Sequence, residues 1–204
     1  MKKVFLDTET SGFTPGQIGQ LSMVIESDNN EITGKNYFFK MDYITQGAED
    51  ICGRGLDFYE KESNGKTFKD NAAEIEETLK DSILIAHNLK FDLNFISTEF
   101  WRLNVLFQPS GELDTMTFFK PILKLPGKYG NTYKNPKLEE VIDYFSINKD
   151  KVLQYTKQLF GTEDTIGFHD ARYDTTAMYV VVQIYREIQA GGPKDWNYTF
   201  VQQH

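Results

Sequence analysis

The chain has 204 residues, 40% of them hydrophobic and 25% charged, which suits one folded domain and excludes the disordered and collagen-like classes. Its net charge of -8 excludes capture of a polyanion by the whole surface, although bound divalent ions can reverse the charge locally. One cysteine excludes an internal disulfide, and no apolar run is long enough for a membrane span or signal peptide, so we expect a cytoplasmic protein.

The first part of the chain has the pattern of strands. Apolar runs separated by a Pro-Gly turn and a polar break predict strands at residues 3–7, 18–26 and 32–40. Their close spacing favours an antiparallel meander. Residues 41–70 show no clear pattern, and we expect irregular structure there.

Strands and helices alternate in the rest of the chain. We expect buried strands at 83–86 and just before Asp114. Apolar residues at helical spacing predict helices at 72–80, 89–103, 116–125, 138–145, 151–160 and 171–189. Residues 126–136 are expected to form an exposed loop. This order indicates an α/β fold, a mixed sheet flanked by helices, with one domain at 1–190 and a tail at 191–204.

Four carboxylates occupy positions where charge is costly. Asp7 and Glu9 follow an apolar run and share one face of the first strand, because side chains alternate with period two. Asp92 and Asp174 fall within the apolar stripes of their helices. Each alone has a structural explanation, as a solvated strand end or a helix cap. Together they would repel unless protonated or bridged, and two divalent ions would balance their charge.

His169 precedes Asp174 by five residues, about 500° around a continuous helix. Both side chains therefore reach one site only if His169 lies on the turn before the last helix. A histidine there suits general-base catalysis near neutral pH. The alternative is an ordinary surface histidine.

These residues lie in segments that resemble the motifs of a known enzyme family. The chain resembles the DEDDh exonucleases, among them the proofreading epsilon subunit of DNA polymerase III, at 5–12 (FLDTETSG), 86–92 (AHNLKFD) and 169–174 (HDARYD). The resemblance extends over most of residues 3–189. It implies a ribonuclease H-like fold, whose mixed five-stranded sheet has one antiparallel strand.

The resemblance also implies a metal-dependent 3'–5' exonuclease that releases nucleoside 5'-monophosphates, mainly from single-stranded DNA. It makes Asp7, Glu9, Asp92 and Asp174 catalytic ligands of two Mg²⁺ or Mn²⁺ ions, and His169 the catalytic base. Such ions activate the attacking water and stabilise the leaving oxygen. A DNA polymerase is the partner that a proofreading or repair role would require.

Four residues near the motifs are expected to bind the substrate, namely Thr10, Phe13, His87 and Asn88. Phe13 stands where family members often carry an apolar residue near the terminal base, although a core position explains it equally well. His87 and Asn88 could instead position their own loop. Lysines and tyrosines in the loop at 124–137 suit single strands, but a solvated loop explains them too.

Three other functions compete with this one. The sequence from Asp7 to Gly12 resembles the start of an EF-hand loop, but Ile18 stands where the bidentate glutamate belongs, so this interpretation fails. A catalytically silent nucleic-acid-binding or polymerase-docking module is the second, and the complete set of acids argues against it. An exoribonuclease is the third, and nothing in the sequence separates it from a DNase.

Overall fold

The computed structural model describes residues 1–128 and 132–191. The strands in these ranges are β1 (Lys3–Thr10), β2 (Ile18–Glu26), β3 (Ile32–Phe38), β4 (Ile83–Ala86) and β5 (Gly111–Asp114). The helices are α1 (Gln46–Cys52), α2 (Leu56–Ser63), α3 (Phe68–Leu79), α4 (Leu89–Arg102), α5 (Thr115–Leu123), α6 (Leu138–Tyr144), α7 (Lys149–Phe160) and α8 (Ala171–Gln189).

The strands form one sheet in the order β3-β2-β1-β4-β5. β1 pairs antiparallel with β2 and parallel with β4, and β5 continues parallel beyond β4. Because β3 is antiparallel to β2, only β2 runs against the other four strands. This confirms the predicted mixed five-stranded sheet with one antiparallel strand. The carboxyl ends of β1, β4 and β5 meet at one edge, so residues that follow these strands lie near one another.

Apolar side chains cover both faces of the sheet. Phe5 and Val24 contribute to a core formed with α5 to α8, and the Phe5 ring packs edge-on against Tyr179 of α8 at 5.1 Å between centroids. Val4 and Leu6 point to the opposite face, into a core formed with α3 and α4. This alternation places Asp7 and Glu9 on the α8 side of β1, as predicted.

The expectation of irregular structure over residues 41–70 was wrong, because α1, α2 and the start of α3 lie there. α1 has no buried residue, so it lacks the apolar stripe by which a helix is recognised. Capping residues define this helix instead. At its N-terminus the Thr45 side chain accepts a hydrogen bond from the Ala48 N–H, and at its C-terminus Gly53 ends the helix with a φ of 67°. α3 also begins earlier than expected, at Phe68.

Within the described ranges, no helix combines the length and apolarity needed to cross a membrane. α8 ends at Gln189, close to the proposed boundary after residue 190. The division into a domain and a tail stays a prediction, since residues 192–204 lie outside the described residues, as does Tyr129 of the predicted substrate loop.

Candidate active site

Three of the predicted acids meet at the carboxyl end of β1. Asp7 and Glu9 project from the strand, and Asp174 projects from the first turn of α8, which packs over that face. One carboxylate oxygen from each lies within 4.8 Å of the others. All three residues are half-buried. Residues 165 positions apart in the chain thus form one acidic cluster.

The cluster is electrostatically strained in the absence of a cation. Burial, followed by repulsion from Asp92 and Asp174, raises the pKa of Asp7 well above its usual value. Burial and Asp174 also raise the pKa of Glu9. Burial raises the pKa of Asp174 to about 7. The acids therefore hold protons more tightly than isolated carboxylates do, and a positive charge among them would oppose this shift.

Asp174 supplies a direct test of whether the cluster suits a cation. Its Oδ2 accepts a bond from the His169 N–H at 3.1 Å, but its Oδ1 is buried and has no hydrogen-bond partner. A buried carboxylate oxygen without a partner is unfavourable, and a cation would relieve it. Three carboxylates supply the hard oxygen ligands that Mg²⁺ and Mn²⁺ prefer. The residues present therefore fit divalent metal ions.

Asp92 lies beside this group rather than within it. It is 2% exposed in the first turn of α4, and its Oδ1 accepts a bond of 2.7 Å from the Thr8 hydroxyl. Burial raises its pKa to about 7, against the opposing effect of the Thr8 bond. Its predicted inward orientation is confirmed. The structure brings it close enough to Asp7 for mutual repulsion but leaves it outside the group within 4.8 Å.

His169 lies on the turn before α8, as the spacing predicted. Its side chain is exposed, and its backbone has a left-handed φ of 64°. The imidazole lines the same cleft as Asp7, Glu9 and Asp174. The histidine therefore lies beside the acids and outside the helix.

The walls of the cleft are partly apolar. Phe13 is 67% exposed at the cleft, so the alternative of a core position is wrong. Its ring packs over Gly47 of α1, where a Cβ would lie 3.2 Å from the ring. Thr10 also lines the cleft, and its hydroxyl donates to the Gly12 carbonyl at 2.9 Å. Ile51 of α1 adds a further apolar wall that the sequence did not reveal.

His87 and Asn88 are placed differently from the other predicted substrate residues. The ring nitrogens of His87 bond the Thr115 hydroxyl at 3.0 Å and the Pro136 carbonyl at 2.9 Å, and burial lowers the pKa of the ring. The Asn88 N–H donates to Asp114 Oδ1 at 3.1 Å. Neither residue lines the acidic cleft, so their contacts favour the alternative in which they position their loop.

Two functional candidates were missed by sequence reasoning. Asp170 follows His169 and caps α8, where its carboxylate accepts a bond from the Arg172 N–H. Arg54, in the connection between α1 and α2, forms an ion pair with Asp170. Asp170 carries the signal of a helix cap, but no local pattern could link it to an arginine 116 residues away.

The mixed sheet thus carries an acidic cleft at the carboxyl end of β1, where the resemblance placed the site. A family model described as an exonuclease, RNase_T, matches residues 4–182. The chain therefore belongs to this exonuclease family, and the predicted resemblance to exonucleases is confirmed.

Solved structures share the fold over most of this chain. Exonuclease X in complex with 5' overhanging duplex DNA is 18% identical, with a TM-score of 0.60 over 94% of each chain. Exonuclease I of E. coli in complex with a dT13 oligonucleotide is also 18% identical, with a TM-score of 0.65 over 93% of this chain and 42% of that chain. At this identity the likeness concerns the fold alone.

A closer sequence match is short. The 3'-5' exonuclease DinG of Staphylococcus haemolyticus is 47% identical over 53 residues, which is 26% of this chain and 6% of that protein. DinG of Staphylococcus epidermidis is 42% identical over a stretch of the same length. The matched part of the chain thus spans only a small fraction of these curated relatives.

Proposed function

We propose that the protein is a metal-dependent 3'–5' exonuclease that releases nucleoside 5'-monophosphates from DNA, mainly from single-stranded ends. The observation that carries the proposal is the buried, unpartnered Oδ1 of Asp174, held among three carboxylates in a cleft that His169 also lines. The name of the 3'-5' exonuclease DinG supports the direction of the reaction, and the DNA present in the Exonuclease I and X structures supports DNA as the substrate. Proofreading or repair beside a DNA polymerase is the role that we propose for this activity.

The acidic cluster is the proposed metal site. Asp7, Glu9 and Asp174 would hold two Mg²⁺ or Mn²⁺ ions, with Asp92 as the remaining acid of the site. When bound, such ions would supply Lewis-acid activation of the attacking water and would offset negative charge on the leaving oxygen. The raised pKa values of the acids mean that binding of the ions also releases protons.

Side chains of the protein would carry out proton transfer and hold the terminal nucleotide. His169 is the proposed general base, because it lines the cleft from an exposed turn. In this role it takes the proton of the attacking water. The water oxygen forms a bond to the last phosphorus, and the bond from phosphorus to the 3' oxygen breaks. That oxygen takes a proton from solvent water and becomes the new 3' hydroxyl. Phe13 and Thr10 are placed to contact the terminal nucleotide, with the Phe13 ring against its base.

The proposal is tested with single-stranded DNA labelled at its 5' end. We expect stepwise shortening from the 3' end with Mg²⁺ or Mn²⁺ and none with EDTA. Asp7→Asn should slow the reaction at least about 100-fold, because one ligand of the cluster is lost. Asp57→Asn, an exposed acid of α2, is the matched control and should not change the rate.

Several outcomes would contradict the proposal. Degradation by Asp7→Asn at the wild-type rate, or equal activity in EDTA, would remove the metal site from the reaction. The same assay with RNA of identical sequence separates the two substrates. Faster shortening of RNA would identify an exoribonuclease, and absence of activity on either strand would favour the silent binding module.

A further inference from the structure

A buried ionic network borders the catalytic turn. The carboxylate of Asp170, only 1% exposed, accepts bonds from the side chain of Arg172 at 3.0 Å and 2.8 Å. It also accepts a bond from Arg54 Nη2 at 2.5 Å. One carboxylate thus has two guanidinium partners. Arg172 lies in α8, the helix that Asp170 caps, whereas Arg54 lies in the connection between α1 and α2.

Arg54 is itself held in place. Its Nη1 donates to Gln20 Oε1 at 3.0 Å, and its guanidinium lies 4.8 Å from the centroid of the Phe58 ring. Gln20 lies opposite Glu9 in the ladder between β1 and β2, and its amide donates to Asp170 Oδ1 at 3.1 Å. The network therefore connects β2, beside the acidic cluster, with the residue that follows His169.

We propose that Arg54 is a positioning residue, which fixes the turn carrying His169 through its ion pair with Asp170. The inference rests on the proposed function of His169 as the base. His169 has a left-handed backbone conformation, which is uncommon for residues other than glycine, and the contacts of the next residue help to hold the turn there. Asp170 is the next residue, and Arg54 ties it to the α1–α2 side of the cleft, where Ala48 and Ile51 form the wall.

The two arginines are not equivalent. Arg172, in the first turn of α8, forms ion pairs with Asp170 and with Asp164, each at 2.8 Å. Loss of Arg54 would leave the carboxylate with Arg172 and Gln20, so no unpaired charge would be buried. The fold should therefore tolerate the loss, while the turn loses its connection to the opposite wall. A displacement of about 1 Å in a catalytic group is enough to slow a reaction about 100-fold.

The test compares Arg54→Met with Arg54→Lys and with a matched control. Arg186→Met is that control, since Arg186 pairs at 2.9 Å with Glu26, a buried carboxylate that keeps Lys3 as its second cation. We expect Arg54→Met to lower kcat at least tenfold at saturating Mn²⁺, with KM within twofold of wild type. The Kd for Mn²⁺ should also change, because the charge of Arg54 lowers the pKa of Glu9. Arg54→Lys should recover part of the rate, and Arg186→Met should leave it unchanged.

A double-mutant cycle shows whether Arg54 acts through His169. In the His169→Ala background, Arg54→Met should cause no further loss of kcat, because the group that it positions is already absent. Additive losses would overturn the proposal, since Arg54 would then act elsewhere. Recovery of the wild-type kcat by Arg54→Met at saturating Mn²⁺ would also overturn it, by assigning the effect to the acidic cluster.

A second measurement is independent of activity. The chain has three histidines, so their ring ¹³Cε1 signals are resolved by NMR, and His169→Ala assigns one of them. Arg54→Met should shift or broaden the His169 signal and leave that of His87 in place. An unchanged His169 signal would refute the positioning role. If wild type degrades no nucleic acid, the proposed function fails while this spectrum still decides whether Arg54 positions the turn.

Discussion

Replacing Asp174 by asparagine should stabilise the ion-free protein at alkaline pH. Burial raises the pKa of Asp174 to about 7 from the ordinary value of 3.8. At 1.36 kcal/mol per pKa unit, the ionised carboxylate is about 4 kcal/mol less favourable in the folded state than in the unfolded chain. The neighbouring acids share the repulsion, so we expect asparagine to recover about 2–4 kcal/mol.

The sign of the pH dependence follows from the same shift. Because the folded pKa lies above the unfolded one, the native state binds the proton more tightly, and stability falls as pH rises from about 4 to about 7. Thermal unfolding in EDTA at pH 5 and pH 8 measures this. At pH 8 the variant should melt about 4–16 °C above wild type, at about 2–4 °C per kcal/mol for a chain of this size. At pH 5 the difference should be much smaller.

Addition of Mn²⁺ at pH 8 should reverse the order, because the ion stabilises a native site that Asp174→Asn has weakened. Asp57→Asn is the control and should follow wild type at both pH values. The reasoning would be refuted if Asp174→Asn were no more stable than wild type at pH 8 in EDTA. A difference of equal size at pH 5 would likewise show that ionisation of Asp174 is not its source.

Three further predictions concern single side chains of the cleft. His169→Ala should lower kcat at least about 100-fold in the strand-shortening assay, with the Kd for Mn²⁺ unchanged, and equal loss of Mn²⁺ binding would make His169 a ligand. Thr8→Val removes the bond to Asp92 Oδ1, so the acid limb of the pH-rate profile should move to higher pH and the free energy of unfolding should fall by about 1–3 kcal/mol. Phe13→Ala should weaken substrate binding by about 1–3 kcal/mol, measured as a higher KM with little change in kcat.

The acidic cluster was predictable because local patterns carried most of the information. A period of two along β1 places Asp7 and Glu9 together, and a period of 3.6 places Asp174 on the inner face of α8. The five-residue spacing of His169 from Asp174 required a turn, which the structure contains. The pairing of β1 with its neighbours and the packing of α8 then bring these residues together.

The features that sequence reasoning missed depend on long-range contacts. α1 buries no residue, and the packing of α2 depends on contacts with distant strands, such as that of the Phe58 ring against Phe38 of β3 at 5.6 Å between centroids. The ion pair between Arg54 and Asp170 joins segments that no periodicity relates. Asp92 shows the same limit, since its inward direction follows from the helix but its bond to Thr8 follows from tertiary packing.

The proposed chemistry also explains how an acidic chain can handle a polyanion. With a net charge of -8, three carboxylates at the cleft and Asp92 beside them, the ion-free site repels phosphate. Two divalent ions would bring four positive charges to that point and would ionise the acids that hold them. Affinity for nucleic acid should therefore depend on the ions as much as turnover does, because the same charges that bind the strand also drive its hydrolysis.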